Sequence, residues 1–152
     1  MLTPDYIVGL VDGEGSFYVR LNTDIRRRNK VELKFSVKLR QQDKHILEEL
    51  KEFFGCGNLY LQKDKRPNHT DCFRFEVNKK KDIIEKIIPF FNSNNPKIES
   101  RKRDFNLFKQ ITELSQKDNS DFKLLQNLKS QMHWGLAVYG KTVRAVGNQV
   151  AL

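Results

Sequence analysis

The spacing of apolar residues changes at Gly15, and this change constrains the fold more than any other feature of the sequence. Before Gly15 the chain is almost continuously apolar from Ile7 to Val11, as in a short helix that is buried on several sides. After Gly15 apolar and polar residues alternate, first over 16–22 and again over 31–40. Because successive side chains of a strand point to opposite faces, this alternation predicts two half-buried strands joined by a loop.

A similar order of elements follows along the chain. A helix is predicted to begin at Asp43 and to end at the glycines of 55–57, and two more strands are predicted over 58–63 and 72–77. The remaining predicted helices run from about Lys80 to Phe90, from Ser100 and from Ser120.

This order predicts an α+β fold in which an antiparallel β saddle carries helices on one face, with the order αββαββα. We expect a single domain over 1–134, because a chain of this length forms one core. Residues 135–152 contain few charges, three glycines and no clear period, so we expect a poorly ordered or loosely docked tail.

Composition limits the possible partners. The 28 Lys and Arg residues outnumber the 19 acidic residues, and the net charge of +9 favours a polyanionic partner. Cys56 and Cys72 lie singly, so we expect small buried thiols rather than a zinc site. No apolar stretch is long enough for a bilayer, and the N-terminus lacks the features of a secretory signal. We therefore expect a protein that is not secreted, has no membrane partner and works where it is made.

The polar residues of the four strands are expected to share the face of the sheet that the helices leave open. Basic side chains exceed acidic ones on this face, whereas a face that only contacts water is usually closer to balance. Arg, Lys, Asn and Gln can read base edges in the major groove, and basic loops can bind phosphates. The predicted nucleic-acid contacts are Ser16, Tyr18, Arg20, Asn22, Glu32, Lys34, Ser36, Lys38, Arg40, Tyr60, Gln62 and Arg74 on the strands, and Arg26, Arg27, Arg28, Lys30, Lys63, Lys65 and Arg66 in the loops.

The segment Ile7-Val8-Gly9-Leu10-Val11-Asp12-Gly13-Glu14-Gly15 resembles the LAGLIDADG motif position for position. It combines an apolar helix, a glycine within that helix and an acid-Gly-acid-Gly sequence leading into a strand. The resemblance continues through 35–41, 55–57 and 100–105 and covers about residues 4–134. The chain is thus similar to the single-motif LAGLIDADG homing endonucleases.

The resemblance implies that Glu14, the second acid of the motif, binds Mg²⁺ or Mn²⁺ at the scissile phosphate, assisted by the carbonyl of Gly13. Asp12 is expected to cap the helix end instead. Elementary electrostatics supports a cation here, because Glu14 follows the negative end of a helix and offers a hard oxygen ligand. Such a metal polarises the phosphate and makes an attacking water more acidic.

The chain contains one copy of the motif. Two DNA strands need two acidic centres, so we expect a homodimer that acts on double-stranded DNA at a long, nearly palindromic site. In the family the motif helices pack across a twofold axis, where Gly9 lets the two backbones approach. The implied dimer contacts are Ile7, Val8, Gly9, Val11 and Asp12.

The family also has a polar residue on the second strand and a Lys near a later helix, both organising water around the metals. The strand position is Leu39 here, so Gln41 is the candidate if the strand ends in a bulge. The basic residue is Arg101 or Lys102, of which we assign Lys102. The catalytic prediction is therefore Glu14 with Gln41 and Lys102.

The resulting prediction is a site-specific DNA endonuclease of intron homing that hydrolyses one phosphodiester in each strand. Its expected host is a mobile intron in an organelle genome, of a chloroplast or mitochondrion. The alternatives are an RNA maturase that assists intron splicing and a DNA-binding regulator that has lost cleavage. The intact Glu14 argues against a purely binding role.

Overall fold

The computed structural model describes residues 1–24, 26–28 and 30–133, and the predicted tail at 135–152 lies outside them. The elements are α1 (Pro4–Glu14), β1 (Gly15–Leu21), β2 (Val31–Arg40), a 3₁₀ turn (Gln41–Asp43), α2 (Lys44–Phe54), β3 (Asn58–Gln62), β4 (Cys72–Val77), α3 (Lys80–Asp82), a π-helical turn (Ile83–Ile87), α4 (Ile88–Ser93), α5 (Glu99–Ser115) and α6 (Phe122–Ser130).

The four strands form one antiparallel sheet in the order β1-β2-β4-β3. Phe35 of β2 lies opposite Phe17 of β1 and Val77 of β4, and Leu59 of β3 lies opposite Phe75 of β4. This register puts the apolar residues of all four strands on one face, against the helices. The predicted α+β fold with the order αββαββα is confirmed, with the last helix of that order replaced by several.

Phenylalanine rings fill the space between the sheet and the helices. The ring centroid of the fully buried Phe17 lies 5.3 Å from the centroids of Phe35, Phe91 and Phe105. These rings come from β1, β2, α4 and α5, and each fully buried ring contributes about 1.5–3 kcal/mol. One aromatic cluster therefore fixes the start of β1 against the helical layer.

The segment predicted as one helix over 80–90 is instead interrupted by the π-helical turn. The amide of Ile88 donates to the carbonyl of Ile83, five residues earlier. Pro89 follows directly; a proline has no amide hydrogen and its ring clashes with the preceding turn, so a widened turn before it relieves the strain. Across the part of the chain that the structure describes, no helix is both long and apolar enough to cross a bilayer.

Candidate metal centre and nucleic-acid interface

The corner between α1 and β1 requires glycine at position 15. The Gly15 amide donates to the carbonyl of Val11, and the chain enters β1 without a loop. A Cβ on Gly15 would lie 2.6 Å from Val11 Cγ1 and 2.7 Å from the Val11 carbonyl oxygen, closer than real contacts allow. The glycine lets helix and strand meet directly, and Glu14, the last residue of α1, is exposed at this corner.

Asp12 is occupied by the chain itself. It is 8% exposed, and its carboxylate accepts hydrogen bonds from the backbone amides of Lys97, at 3.1 and 3.0 Å, and Ile98, at 3.3 Å. These amides immediately precede α5, where donors lack partners within the helix and negative charge is favoured. Asp12 therefore satisfies the start of α5 and fixes the end of α1 against it.

A cavity of about 430 Å³ opens beside Glu14 at the end of β2. Two basic side chains, Lys38 and Arg40, share it with two acidic ones, Glu14 and Asp43, so groups of both charges face the cavity. Leu39 occupies the strand position at which the family places a polar residue. The cavity is lined by Glu14, Lys38, Leu39, Arg40, Asp43 and Cys72.

The other two predicted catalytic residues, Gln41 and Lys102, are not in this lining. Gln41 is exposed in the 3₁₀ turn, and its backbone amide donates to the carbonyl of Asp71 at 3.0 Å. Lys102 is exposed in the first part of α5. The neighbouring Arg101 is half-buried, and within the described residues its buried Nε has no hydrogen-bond partner.

The end of α1 offers oxygen ligands to a divalent cation. The last carbonyls of a helix lack amide partners within it, and Gly13, the residue before Glu14, contributes such a carbonyl. Mg²⁺ prefers hard oxygen ligands and keeps several waters, so one carboxylate and one carbonyl suit it. Nowhere in the described ranges do three His, Cys, Asp or Glu side chains converge as a metal site.

The face of the sheet opposite the helices surrounds a cavity of about 620 Å³. Asn78 and Lys80 line it although neither was predicted to contact nucleic acid. The alternation of β4 reaches Asn78 and could have identified it, whereas Lys80 lies beyond the strand, where that period no longer applies. The predicted contacts that the structure brings together here are Ser16, Tyr18, Arg20, Glu32, Lys34, Ser36 and Arg74.

Glu76 holds the basic side chains at the centre of this open face. It is 7% exposed, and its carboxylate lies 3.0 Å from Arg74 Nε and 3.7 Å from Lys34 Nζ. The Lys34 ammonium also lies 5.6 Å from the centroid of the Tyr18 ring. Side chains that are already held in place lose less conformational entropy when a ligand binds.

Asn22 does not line the open face. It is 7% exposed, and its side-chain amide donates to Glu32 at 3.1 Å. Its backbone amide donates to the carbonyl of Lys30 at 2.8 Å. Asn22 therefore closes the base of the first hairpin loop.

Basic side chains at both hairpin loops remain exposed. Arg26 Nε lies 3.2 Å from Asp24, and Arg66 donates to both carboxylate oxygens of Asp64 at 3.0 and 2.6 Å. The Arg66 hydrogen bonds hold the pKa of Asp64 well below its usual range. Exposed ion pairs are weak, so these arginines can exchange a carboxylate for a phosphate. The exposed predicted contacts outside the central cavity are Arg26, Arg27, Arg28, Lys30, Lys38, Arg40, Tyr60, Gln62, Lys63, Lys65 and Arg66.

The outer face of α1 is open. Among the described residues, a Cβ built on Gly9 or Gly13 would meet nothing within 4 Å, and Tyr6 is 48% exposed. Positions 6, 9 and 13 lie on one stripe of a helix. The packing of a single chain thus gives no reason for glycine at 9 or 13, whereas close approach of another backbone would. The other residues predicted at a dimer contact are buried within the chain, namely Ile7, Val8, Val11 and Asp12.

Comparison of the sequence with known proteins gives a family match. The model of a family described as LAGLIDADG endonuclease matches residues 7–112. The probable intron-encoded DNA endonuclease 1 of Mycosarcoma maydis is 33% identical over 104 residues, which are 68% of this chain and 34% of that protein. This chain thus spans about a third of the length of that relative.

Solved structures share the fold. I-SmaMI bound to its uncleaved DNA target in the presence of calcium ions matches with a TM-score of 0.74 and 28% identity, over 88% of this chain and 45% of that one. The homing endonuclease I-TnaI matches with a TM-score of 0.70 and 26% identity, over 87% of this chain and 88% of that one. The matched part is therefore less than half of I-SmaMI and most of I-TnaI.

Proposed function

The chain belongs to the LAGLIDADG endonuclease family, and on that basis we propose that it is a site-specific endonuclease of intron homing that hydrolyses both strands of duplex DNA. One observation carries the proposal. Glu14 is exposed at a negative helix end beside a basic sheet face, and the described part of the chain gives it no ion-pair or hydrogen-bond partner. An unpaired acid at that position favours an external cation, and the basic face supplies the polyanion on which it acts.

The proposal includes a divalent metal, Mg²⁺ or Mn²⁺, held by the Glu14 carboxylate and the Gly13 carbonyl. Bound there, it would polarise the phosphate and acidify an attacking water. The calcium ions that accompany DNA in the I-SmaMI complex support a divalent ion. Lys38 and Arg40 stand in the same cavity as Glu14, where they would stabilise the negative charge of the phosphate.

We further propose that two copies associate through the outer stripe of α1, formed by Tyr6, Gly9 and Gly13. A twofold axis there brings two Glu14 carboxylates near each other, one for each DNA strand. The match of I-TnaI, over 88% of its own length, supports a single-domain subunit. Symmetry then requires a nearly palindromic target.

Gln41 and Lys102 remain the proposed water-organising residues. Both are exposed and neither lines the Glu14 cavity, so DNA or the second copy must bring them to the site. The intron-encoded relative supports a mobile intron as the source of the gene, and we propose an organelle as its location.

Selection of cleaved sites from a randomised duplex library with Mg²⁺ tests the proposal. We expect cuts in both strands at related, nearly palindromic sites. Glu14→Gln should slow cutting by at least about a thousandfold, because a lost metal ligand forfeits several kcal/mol of transition-state stabilisation. It should still bind the selected duplex, since the sheet face is unchanged.

Glu85→Gln is the matched control, because Glu85 is an exposed glutamate in the π-helical turn. It should cut like the wild type. Binding without cuts by the wild type would favour the maturase or regulator, and retained cutting by Glu14→Gln would refute the metal assignment. Sedimentation of the uncut complex should give two chains per duplex, and a ratio of one would rule out the homodimer.

A further inference from the structure

His133, which follows α6, is held by two contacts to one buried carboxylate. Its backbone amide donates to Asp104 Oδ1 at 2.9 Å, and its ring Nδ1 lies 3.1 Å from Asp104 Oδ2. Asp104 is 3% exposed. Burial alone would raise the pKa of Asp104, but the hydrogen bonds and charge of His133, together with the charge of Arg101, outweigh burial and lower it. The carboxylate is therefore ionised beside the imidazole.

The backbone of His133 is in an unfavourable conformation. Its φ is +55°, in the left-handed region, which carries an energetic cost for a residue with a Cβ. A glycine after the helix end would avoid this cost. The contacts to Asp104 offset it, and conformations of this kind concentrate at functional positions.

The His133 imidazole lies at the β1 edge of the sheet, against a side chain of the open face. β1 is an edge strand, and the His133 ring stacks against Tyr18 of β1, with centroids 6.5 Å apart and planes at 29°. Tyr18 is 41% exposed on the open face, and Lys34 lies over its ring. Among the described residues the second ring nitrogen, Nε2, has no hydrogen-bond partner.

We propose that His133 is a phosphate contact of the DNA interface, with Asp104 holding Nδ1 so that Nε2 donates to a phosphate oxygen beside Tyr18. The inference rests on the proposed function. When Nδ1 carries the proton shared with Asp104, Nε2 can donate only from the protonated ring. The groups that contact the ring are Asp104 of α5 and Tyr18 of the sheet. Arg101 acts on Asp104, and Lys34 lies over the Tyr18 ring.

Binding to a short mixed-sequence DNA duplex without metal tests the inference, because phosphate contacts do not depend on sequence. Fluorescence anisotropy is measured between about pH 6 and pH 8, where imidazole titrates. Wild-type affinity should rise toward the lower pH by about three- to tenfold more than that of His133→Gln. At the lower pH, His133→Gln should also reduce the slope of log affinity against log salt by about 0.9.

His45→Gln is the matched control, because His45 is exposed on α2. It should keep the wild-type pH response, and His69 is unchanged in all these proteins. His133→Lys keeps a cation but does not titrate in this range, so it should bind tightly without the pH response. Weak binding by both His133→Gln and His133→Lys would indicate a structural role for His133 and overturn the inference.

An unchanged pH response and salt slope in His133→Gln would also overturn it. This failure is separable from failure of the proposed function. A wild type that cuts its site with Mg²⁺ while His133→Gln binds like the wild type refutes only the phosphate contact. If the wild type does not cut DNA but still shows the His133-dependent pH response, only the proposed endonuclease activity is refuted.

Discussion

Helices α1 and α2 both end beside glycines, yet the two ends have opposite electrostatics. At the end of α2, Gly55 has a φ of +64°, and its carbonyl accepts a hydrogen bond from Lys86 Nζ at 2.9 Å. Lys51 adds positive charge in the last turn. At the end of α1 the last turn contains no basic residue, and the helix finishes with Glu14.

The difference indicates which helix end is open to a cation from outside the chain. A helix C-terminus carries partial negative charge and is stabilised by cations. The chain supplies those cations to α2 from its own lysines. It supplies none in the last turn of α1 and adds an acid instead. Lys38 and Arg40 reach the same cavity from β2, but among the described residues neither forms an ion pair with Glu14, so this end can accept an external cation. On the proposed function, the α2 end serves stability and the α1 end serves metal binding.

A lysine in place of the acid at the end of α1, like the lysine in the last turn of α2, should affect stability and activity in opposite directions. We expect Glu14→Lys to reduce cutting of the selected duplex by at least about a thousandfold, because the metal ligand is lost and replaced by a cation. The same change should raise the free energy of unfolding by about 0.3–1 kcal/mol, since a cation suits a helix C-terminus. Cleavage kinetics and urea denaturation measure the two effects. A loss of both would mean that Glu14 is structural and that the comparison of the two ends is wrong.

The two terminal glycines should differ in how strictly they are required. Gly15→Ala should destabilise by about 2–3 kcal/mol, because the new Cβ meets the Val11 backbone and cannot be accommodated by a side-chain shift. Gly55→Ala should cost about 1–2 kcal/mol, from its left-handed φ alone, since the nearest atom to its Cβ is Lys86 Nζ at an ordinary 3.6 Å.

Asparagine sharpens this prediction, because it tolerates the left-handed region but brings a Cβ. Gly55→Asn should recover part of the loss measured for Gly55→Ala, whereas Gly15→Asn should recover none. Equal recovery at both positions, measured by urea denaturation, would show that contact with Val11 is not what excludes a side chain at Gly15.

Local patterns in the sequence were sufficient for most of the fold. Alternation predicted strands over 16–22 and 31–40, close to the observed Gly15–Leu21 and Val31–Arg40. This pattern is robust because each residue faces either the core or water. The acid-Gly-acid-Gly sequence pointed to Glu14 through its resemblance to the LAGLIDADG motif, and the structure places Glu14 exposed between helix and strand.

Contacts between distant segments could not be predicted in this way. Asp12 binds amides 85 and 86 residues later, and His133 binds Asp104, so neither partner has a local signal. The faces of α1 were ambiguous for a related reason. A helix that is apolar on nearly all sides does not indicate which side meets its own core, and Ile7 and Val11 face that core.

The smallest expected effect comes from removing Lys86, which donates a hydrogen bond at the end of α2. Lys86→Met keeps the apolar part of the side chain but loses the hydrogen bond to the Gly55 carbonyl, so we expect a loss of about 1 kcal/mol in urea denaturation. The change has a second readout at Cys56, which lies next to Gly55. Burial raises the pKa of the Cys56 thiol, the charge of Asp82 raises it further, and Lys86 opposes both by lowering it.

Removing Lys86 should therefore raise the pKa of Cys56 further and slow its reaction with a thiol reagent, because only the thiolate reacts. Cys72 lines the cavity that Glu14 also lines, and it is the internal control: its rate of reaction with the thiol reagent should not change. A slower Cys56 with unchanged stability would mean that the Lys86 charge reaches the thiol without stabilising the helix end. In that case Lys86 does not stabilise the C-terminus of α2, and the proposed contrast between the two helix ends is wrong.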